Sequence, residues 1–408
     1  MRLLIVTQYF WPENFRINDL ALDFVNRGHD VTVLTGIPNY PEGKIFTEFI
    51  SHPKNYVFYK GIKIIRVPMF TRGVGNFGLI LNYISFAFCA SIIGSWKIKK
   101  KKFDVIFVYQ PSPITVGIPA IVIKYLKKIP LVFWVLDLWP DTLKAIEIVK
   151  SEWLLKIVEL LVYLIYKRCD LILVQSKSFM PQIKKYKTLK VPIEYFPSWP
   201  DLPLMTKANV KAPEIKYSSS YFNIIFAGNI GNAQDFESIL LTANLLKKNN
   251  RIRWFILGNG SKFKWLEKQI KILGLEKVFF MMGHYPIERM PSFFSHADAL
   301  LVTLKDRHIF SMTIPAKVQA YLTSGKPILG MLNGEGAQVL LESKAALVVP
   351  SGDYRSLGEA IIKMSKMDLK SLKRMGQNGP KFCEREFNRK RLITKLEFWM
   401  KSLKIKKK

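Results

Sequence analysis

Two doubly wound, Rossmann-like α/β domains facing across a cleft are the fold class this sequence predicts. Three observations carry the prediction. The 408 residues are too many for one core, and an apolar content of 49% supplies two ordinary ones. Apolar strands alternate with helical stretches along both halves. Each half opens on a strand–turn–helix junction, the two lying some 220 residues apart.

The elements follow in order. Residues 2–9 read as a strand, and residues 15–27 as a helix with Ile17, Leu20, Ala21, Phe24 and Val25 on one face. Further strands are expected at 30–35, 57–69, 104–109, 130–136 and 171–175, and helices at 79–99, 115–128, 151–167 and 177–186. The run Leu131-Val132-Phe133-Trp134-Val135-Leu136 does not alternate, which suits a parallel strand buried on both faces. Pro197, Pro200, Pro203 and Pro213, then Ser218-Ser219-Ser220, break the alternation and read as a linker. The second series has strands at 222–227, 252–257, 278–282, 299–304, 327–331 and 346–349. Its helices fall at about 235–248, 262–273, 286–296, 315–324 and 353–366. Residues 369–404 are helical and longer than that domain needs. The expected domains are therefore 1–200 and 218–385, with the helix 386–408 packing back on the first.

Composition narrows the function. Cys89, Cys169 and Cys383 are widely spaced, with no CxxC pair, which argues against a disulfide framework and structural zinc. A strand directly after Met1-Arg2 is not a secretory signal, so a cytoplasmic location is expected. The net charge of +31 is spread over both halves, with 27 basic against 14 acidic residues in 1–200 and 35 against 17 in the rest. A solvated lysine-rich surface accounts for it, and so does attraction to anionic lipid head groups. Nucleic acid is not expected, because no zinc finger, RNA-binding sheet signature or basic zipper is visible. Residues 79–96 carry no charge, yet they fall short of a span and hold Asn82, Ser85 and Ser91. Flanking strands of one sheet also argue against a crossing. The expectation is a helix half packed and half exposed, ending in the basic run 97–102; an ordinary buried crossover helix is the other reading. A second apolar helix, at about 153–166, adds to the membrane reading.

Ligands of open α/β sheets bind outside the carboxyl ends of the strands. Here Gly228-Asn229-Ile230-Gly231 follows one strand and precedes a helix, and its backbone N–H groups suit a phosphate or diphosphate. Gly258-Asn259-Gly260 and Gly283-His284 end the next two strands. Each alone is compatible with a tight turn; three in one domain favour a nucleotide cleft. No Walker loop follows, and the GxGxxG fingerprint is absent at both strand–turn–helix openings. Pro315 opens a helix, and Lys317 lies in its first turn, where the dipole disfavours a cation. Lys317 either answers an anionic ligand or points to solvent.

At this level the chain resembles a family. The turn Gly-Asn-Ile-Gly, the later Gly283-His284 and Pro315-Ala316-Lys317-Val318-Gln319-Ala320-Tyr321-Leu322 with Gly325-Lys326-Pro327-Ile328 resemble retaining glycosyltransferases of family 4, which have the GT-B fold. So do Tyr9-Phe10-Trp11-Pro12-Glu13-Asn14-Phe15-Arg16, Arg27-Gly28-His29-Asp30, Pro38-Asn39-Tyr40-Pro41 and Asp137-Leu138-Trp139-Pro140-Asp141. The combination is similar to a bacterial branch making O-antigen, capsule or colanic-acid repeat units, including N-acetylfucosamine transferases.

The resemblance implies a nucleotide-sugar donor on the second domain, an acceptor on the first, and no metal or other cofactor. Donor binding would fall to Gly228, Asn229, Ile230, Gly231, Gln234, Gly258, Gly260, Gly283, His284, Lys317 and Gln319. The acceptor side would be Pro12, Glu13, Asn14, Arg16, Asn39 and Tyr40. Glu13, Asp137 and Asp141 are candidates to orient or deprotonate the acceptor; Asp137 and Asp141 could equally cap the turn around Trp139-Pro140. His284 and His308 are open to a surface or core reading. The chain departs from the family at Asn229 and Gln234, where relatives have Arg and Lys. It also has Met312 and Ala320 where they have glutamates, and Leu136 where they have His. Lys317, with Arg307, would then carry more of the diphosphate charge. The implied activity is transfer from a UDP-sugar to a polyprenyl-diphosphate-linked acceptor at an anionic membrane surface, on the inner face of the cytoplasmic membrane. A sugar-nucleotide 2-epimerase and a non-catalytic assembly scaffold are the other classes.

Overall fold

The computed structural model describes all residues except 74, 146–150, 201–210, 216–219 and 407–408. Pro203, Ser218 and Ser219 of the expected linker lie outside the described residues, as do the last two lysines of the tail. The described chain forms two compact units, Met1–Pro197 with Arg389–Lys408, and Ser198–Asn388.

The first unit holds β1 (Arg2–Val6), β2 (Asp30–Gly36), β3 (Phe58–Tyr59), β4 (Ile62–Val67), β5 (Val105–Gln110), β6 (Leu131–Val135), β7 (Leu171–Val174) and β8 (Ile193–Tyr195). Their order is β3-β4-β2-β1-β5-β6-β7-β8. All neighbours run parallel except β3 against β4. Every residue of β5, β6 and β7 is buried, which explains why these runs are apolar without alternation. Burying one large side chain of this kind contributes about 1.5–3 kcal/mol. The expected strand 57–69 is two strands, because Lys60 and Gly61 take φ of 47° and 85° and fold the chain into a hairpin. The first strand stops at Val6 rather than residue 9. β8, only three residues long, was not read from the sequence.

The apolar segment is one continuous helical run, Phe77–Lys97, with a π turn at Ala90–Gly94. Its inner side is fastened along its length. Asn82 accepts from Gln8 Nε2 at 2.6 Å and donates from Nδ2 to the Phe70 carbonyl at 2.6 Å. Phe86, Ala87 and Ala90 are buried, and a Cβ on Gly94 would stand 2.9 Å from Leu34. The strands on either side of it in sequence, β4 and β5, belong to one sheet.

Residues 369–404 are helical in two pieces. The chain breaks after Glu386 into Leu369–Glu386 and Arg389–Lys406. The second helix belongs to the first unit, where Arg389 Nε donates to Asp23 at 2.5 Å and Arg27 pairs with Glu397 at 3.0 Å.

The second unit holds β9 (Phe222–Ala227), β10 (Ile252–Leu257), β11 (Phe279–Gly283), β12 (Ala299–Thr303), β13 (Ile328–Met331) and β14 (Ala346–Val349). They pair in parallel in the order β11-β10-β9-β12-β13-β14. Successive residues feed opposite faces: Trp254 joins one core cluster and Phe255 the other. Helix Gly334–Ser343 was not expected, since its Gly334-Glu335-Gly336 opening reads as loop.

Candidate active site

Each sheet has a point where the winding reverses. In the first unit β1 leads to β2 on one side, while β5 leads to β6 and β7 on the other. In the second, β9 leads to β10 and β11, and β12 to β13 and β14. The crevices at the carboxyl ends of β1/β5 and β9/β12 are where such sheets take ligands.

The β9/β12 end gathers most donor-side candidates. The loop after β9 is pinned on three sides. Ile230 donates its N–H to the Asn259 carbonyl, and its own carbonyl accepts from Lys262 N at 3.0 Å. Lys305 N donates to the Ala233 carbonyl at 2.9 Å, and the Thr303 hydroxyl donates to the Gln234 carbonyl. This corrects the expectation for the turn. Gly228 N and Ile230 N are spent on Leu257 and Asn259 carbonyls, leaving Asn229 and Gly231 as its amides without a backbone acceptor among the described residues. The Asn229 side chain lies against both Gly231 and Gly260, where added Cβ atoms would meet it at 2.6 and 2.5 Å.

Gly228 and Gly258 are required where they stand. Gly228 has φ of 140°, and Gly258 φ of 138° with its Cβ position 1.9 Å from the Gly228 carbonyl. Lys317 passes over Gly228 and donates from Nζ to Gln234 Oε1 at 2.5 Å, with the ammonium 4.0 Å from the Phe226 ring centre. No carboxylate pairs with it among the described residues. Burial draws its pKa down to about 7. Lys262 and Lys305 differ, since both pair with Glu237. Tyr321, one turn along the same Ala316–Ser324 helix, fastens that helix to β9: its hydroxyl accepts from Ala227 N at 2.8 Å and donates to the Ala227 carbonyl at 3.1 Å. Gln319 is buried and gives its Nε2 to the Ser198 carbonyl at 2.8 Å, a packing contact. Gly283 ends β11 with φ of 80°, and His284 after it is exposed. Arg307 and His308 are exposed on the loop and short helix after β12.

The β1/β5 end holds a pocket of about 260 Å³. Tyr9, Phe15, Tyr40, Tyr83 and Trp139 supply aromatic walls, and Arg72, Ser112, Asp137 and Thr142 supply polar groups. Asp137 accepts from Trp139 Nε1 at 3.1 Å and from the Thr142 hydroxyl. Burial raises its pKa to about 6, against the lowering effect of those hydrogen bonds and one from Ser112. Asp137 thus both holds the turn and faces the pocket. Asp141 opens the Asp141–Ala145 helix outside the pocket lining.

Glu13 stands behind the pocket, not in it. Its Oε1 accepts from Asn39 N and Tyr40 N, each at 2.9 Å, and its Oε2 from Phe10 N at 3.2 Å. Burial raises its pKa to about 7. It ties the turn after β1 to the loop after β2 and so positions Tyr40. Asn39 works beside it, accepting from Arg72 N at 3.2 Å. Pro12, Asn14 and Arg16 do not line the pocket, and Arg16 lies 3.8 Å from Asp19. Arg72 and Tyr83 were not singled out from the sequence, having no motif spacing to mark them. Among the described residues no three His, Cys, Asp or Glu side chains converge as a metal site would require.

Two parallel α/β sheets, each with a ligand crevice at its switch point, define the GT-B class of glycosyltransferase fold. Residues 15–202 match Glycosyltransferase Family 4 and residues 212–382 match Glycosyl transferases group 1, so the chain is a glycosyltransferase of the GT-B type built from these two domains. A search of the curated proteins finds no match. Solved structures share the fold over nearly the whole length. A sucrose-phosphate synthase from Thermosynechococcus elongatus is 14% identical with a TM-score of 0.71, covering 98% of both chains. Anabaena HepE in complex with UDP is 11% identical with a TM-score of 0.68, covering 98% of this chain and 100% of that one. WaaG, a glycosyltransferase involved in lipopolysaccharide biosynthesis, is 13% identical with a TM-score of 0.65, covering 97% and 98%.

Proposed function

We propose that this glycosyltransferase moves an N-acetylated amino or deoxy sugar from a UDP-sugar to a polyprenyl-diphosphate-linked acceptor, with retention, in bacterial surface polysaccharide synthesis on the cytoplasmic side of the membrane. The observation that carries the donor reading is Lys317: an enclosed ammonium without a carboxylate partner among the described residues, in the first turn of a helix, beside a glycine turn. An anion of high charge completes that site. UDP is the nucleotide named with the Anabaena structure, and lipopolysaccharide the product class named with WaaG.

The chemistry breaks the bond from the anomeric carbon to the diphosphate and forms one to the acceptor hydroxyl oxygen. Lys317 and the amides of Asn229 and Gly231 stabilise the departing diphosphate. The aromatic pocket holds the acceptor, and Asp137 orients its hydroxyl and takes its proton. No metal is needed for the charge, so EDTA should leave turnover unchanged.

Thermal unfolding with UDP, GDP, NAD or no ligand tests the reading. A nucleotide at a hundred times its Kd adds about 2.7 kcal/mol of stability. Stabilisation by UDP and UDP-sugars alone is the expected result. No shift with any nucleotide overturns the donor site and favours a scaffold, a class that Met312 and Ala320 at the family's glutamate positions already suggest. Interconversion of UDP-sugars without acceptor would mark an epimerase.

A further inference from the structure

We infer that the first unit carries a membrane-docking face, and that its partner is a bilayer surface with anionic head groups. Three helices lie side by side there: the run Phe77–Lys97, then Gly117–Lys127, then Glu152–Lys167. The last two are close enough that a Cβ on Gly117 would stand 2.6 Å from Ile165.

The outer stripe of the first run is Phe77, Ile80, Ile84, Phe88, Ile92 and Trp96, a spacing of three or four that keeps them on one side. Phe77 is 80% exposed, Phe88 65% and Trp96 64%. The Glu152–Lys167 helix repeats the pattern with Trp153, Ile157, Leu160 and Leu164, Trp153 being 69% exposed. Tyr125 and Leu126, on the helix between them, are exposed too. Single exposed apolar side chains are ordinary; stripes on two helices, with two more exposed apolar residues on the helix between them, are not.

Charge selects the occupant. Residues 49–103 contain ten Lys and Arg and no Asp or Glu. Lys99, Lys100 and Lys102 follow Trp96, are exposed, and form no ion pair among the described residues. On the third helix Glu152 and Glu159 are paired with Lys144 and Lys185, while Lys156 and Lys167 have no acidic partner among the described residues. A second copy of the chain would bring like charges together across the apolar stripes. An anionic bilayer accepts both, with acyl chains for the apolar residues and head groups for the lysines. Trp96 and Trp153 suit the boundary between the two.

The contact is flat and does not cross the bilayer, because the first run is packed against the unit along its inner side and its flanking strands share a sheet. The same run supplies Leu79 and Tyr83 to the aromatic pocket. Docking therefore lays one wall of that pocket against lipid, which suits a lipid-linked acceptor; that last step alone rests on the transferase reading.

Sedimentation of the full chain with phosphatidylcholine vesicles, with and without phosphatidylglycerol, tests the face. The protein should pellet with the anionic vesicles and be released by salt. The variant Lys99→Gln/Lys100→Gln/Lys102→Gln should lose roughly fivefold in partition per lysine, about a hundredfold in all. Ile84→Ser/Phe88→Ser should lose binding as well, with an unchanged Tm to show an intact fold. The proposal is overturned if the wild type stays in solution with anionic vesicles, or if both variants pellet like it. It is equally overturned if the apolar variant abolishes only self-association. A UDP shift without vesicle binding would sink the docking face alone; vesicle binding without a UDP shift would sink the donor site alone.

Discussion

The Lys317 ammonium donates to Gln234 Oε1 at 2.5 Å after passing directly over Gly228, whose added Cβ would stand 2.4 Å from Lys317 Cε. The glycine is thus required by the lysine as well as by its own φ of 140°. Lys317 and Gln234, 83 positions apart in the sequence, form one device with that glycine. Gln234 fills a coordination place of the ammonium but brings no charge, so no described side chain compensates the cation until an anion arrives.

That arrangement fixes a pH dependence. In the free protein burial lowers the Lys317 pKa from 10.5 to about 7. A diphosphate beside it restores the proton, so binding above pH 7 takes a proton up. UDP is fully ionised there, the second phosphate pKa being near 6. Its affinity should therefore fall from pH 7 to pH 9, by up to tenfold per unit. Lys317→Met should bind UDP at least about tenfold more weakly, since an ion-paired contact of about 1.5–3 kcal/mol is lost, and without that slope. The stability sign is opposite. The unfolded chain holds the proton better, so the penalty on the ligand-free fold is full below pH 7 and fades toward 10.5. Lys317→Met should raise the Tm of the free protein at neutral pH. Calorimetric titration and thermal melts across the range check both; a flat wild-type affinity profile would remove Lys317 from the donor site.

Glu13 carries a structural prediction. Glu13→Ala strands three buried N–H groups, those of Phe10, Asn39 and Tyr40. At about 1 kcal/mol or more each, the loss should reach about 3 kcal/mol. Glu13→Gln keeps one acceptor and turns an NH2 group toward Phe10 N, so it should cost less. Because the folded carboxyl titrates at about 7, above its ordinary 4.5, the fold binds the extra proton between those values. The wild type should lose stability as pH rises from 4.5 to 7, and Glu13→Gln should lack that decline. Urea unfolding at several pH values measures it. A wild-type-like Glu13→Ala would end the positioning role.

Legibility in the sequence followed the kind of signal. β9 and β10 lie at the bounds their apolar runs predicted, because a strand buried on both faces writes itself as such a run; the half-buried edge strand β14 lies at its predicted bounds too. The hairpin at Lys60-Gly61 was missed although Gly61 advertises it, since apolar residues on both sides masked the turn. Helix Gly334–Ser343 was missed for the opposite reason: Gly334 is there for packing, its Cβ position lying 1.9 Å from the Ser311 carbonyl, and it reads as a breaker. The returning helix expected at 386–408 starts at Arg389, although no proline or glycine marks the break near Phe387-Asn388. At the site, Gly228 and Lys317 were visible as local patterns. The pocket was only partly visible, because Arg72, Tyr83 and Ser112 meet Asp137 through tertiary packing that no spacing records. Glu13 was visible as a motif residue, but its partners are backbone amides, which carry no sequence signature.

Asp137 separates catalysis from scaffolding. Its carboxyl titrates at about 6, raised by burial and restrained by Thr142, Trp139 and Ser112. If it accepts the acceptor's proton it must be ionised, so kcat/KM for the acceptor at saturating UDP-sugar should rise with pH through about 6 and level above it. Asp137→Asn retains an oxygen for Trp139 Nε1 and can donate to the Thr142 hydroxyl, so the turn should hold and the Tm change little. The proton acceptor is lost, and kcat should fall by about 10²–10⁴ with the acidic limb gone. A merely structural Asp137 predicts the reverse: kcat within a few fold, the limb unchanged, and a lowered Tm. Steady-state rates of the wild type and Asp137→Asn between pH 5 and 8, read beside their melting curves, decide between the two.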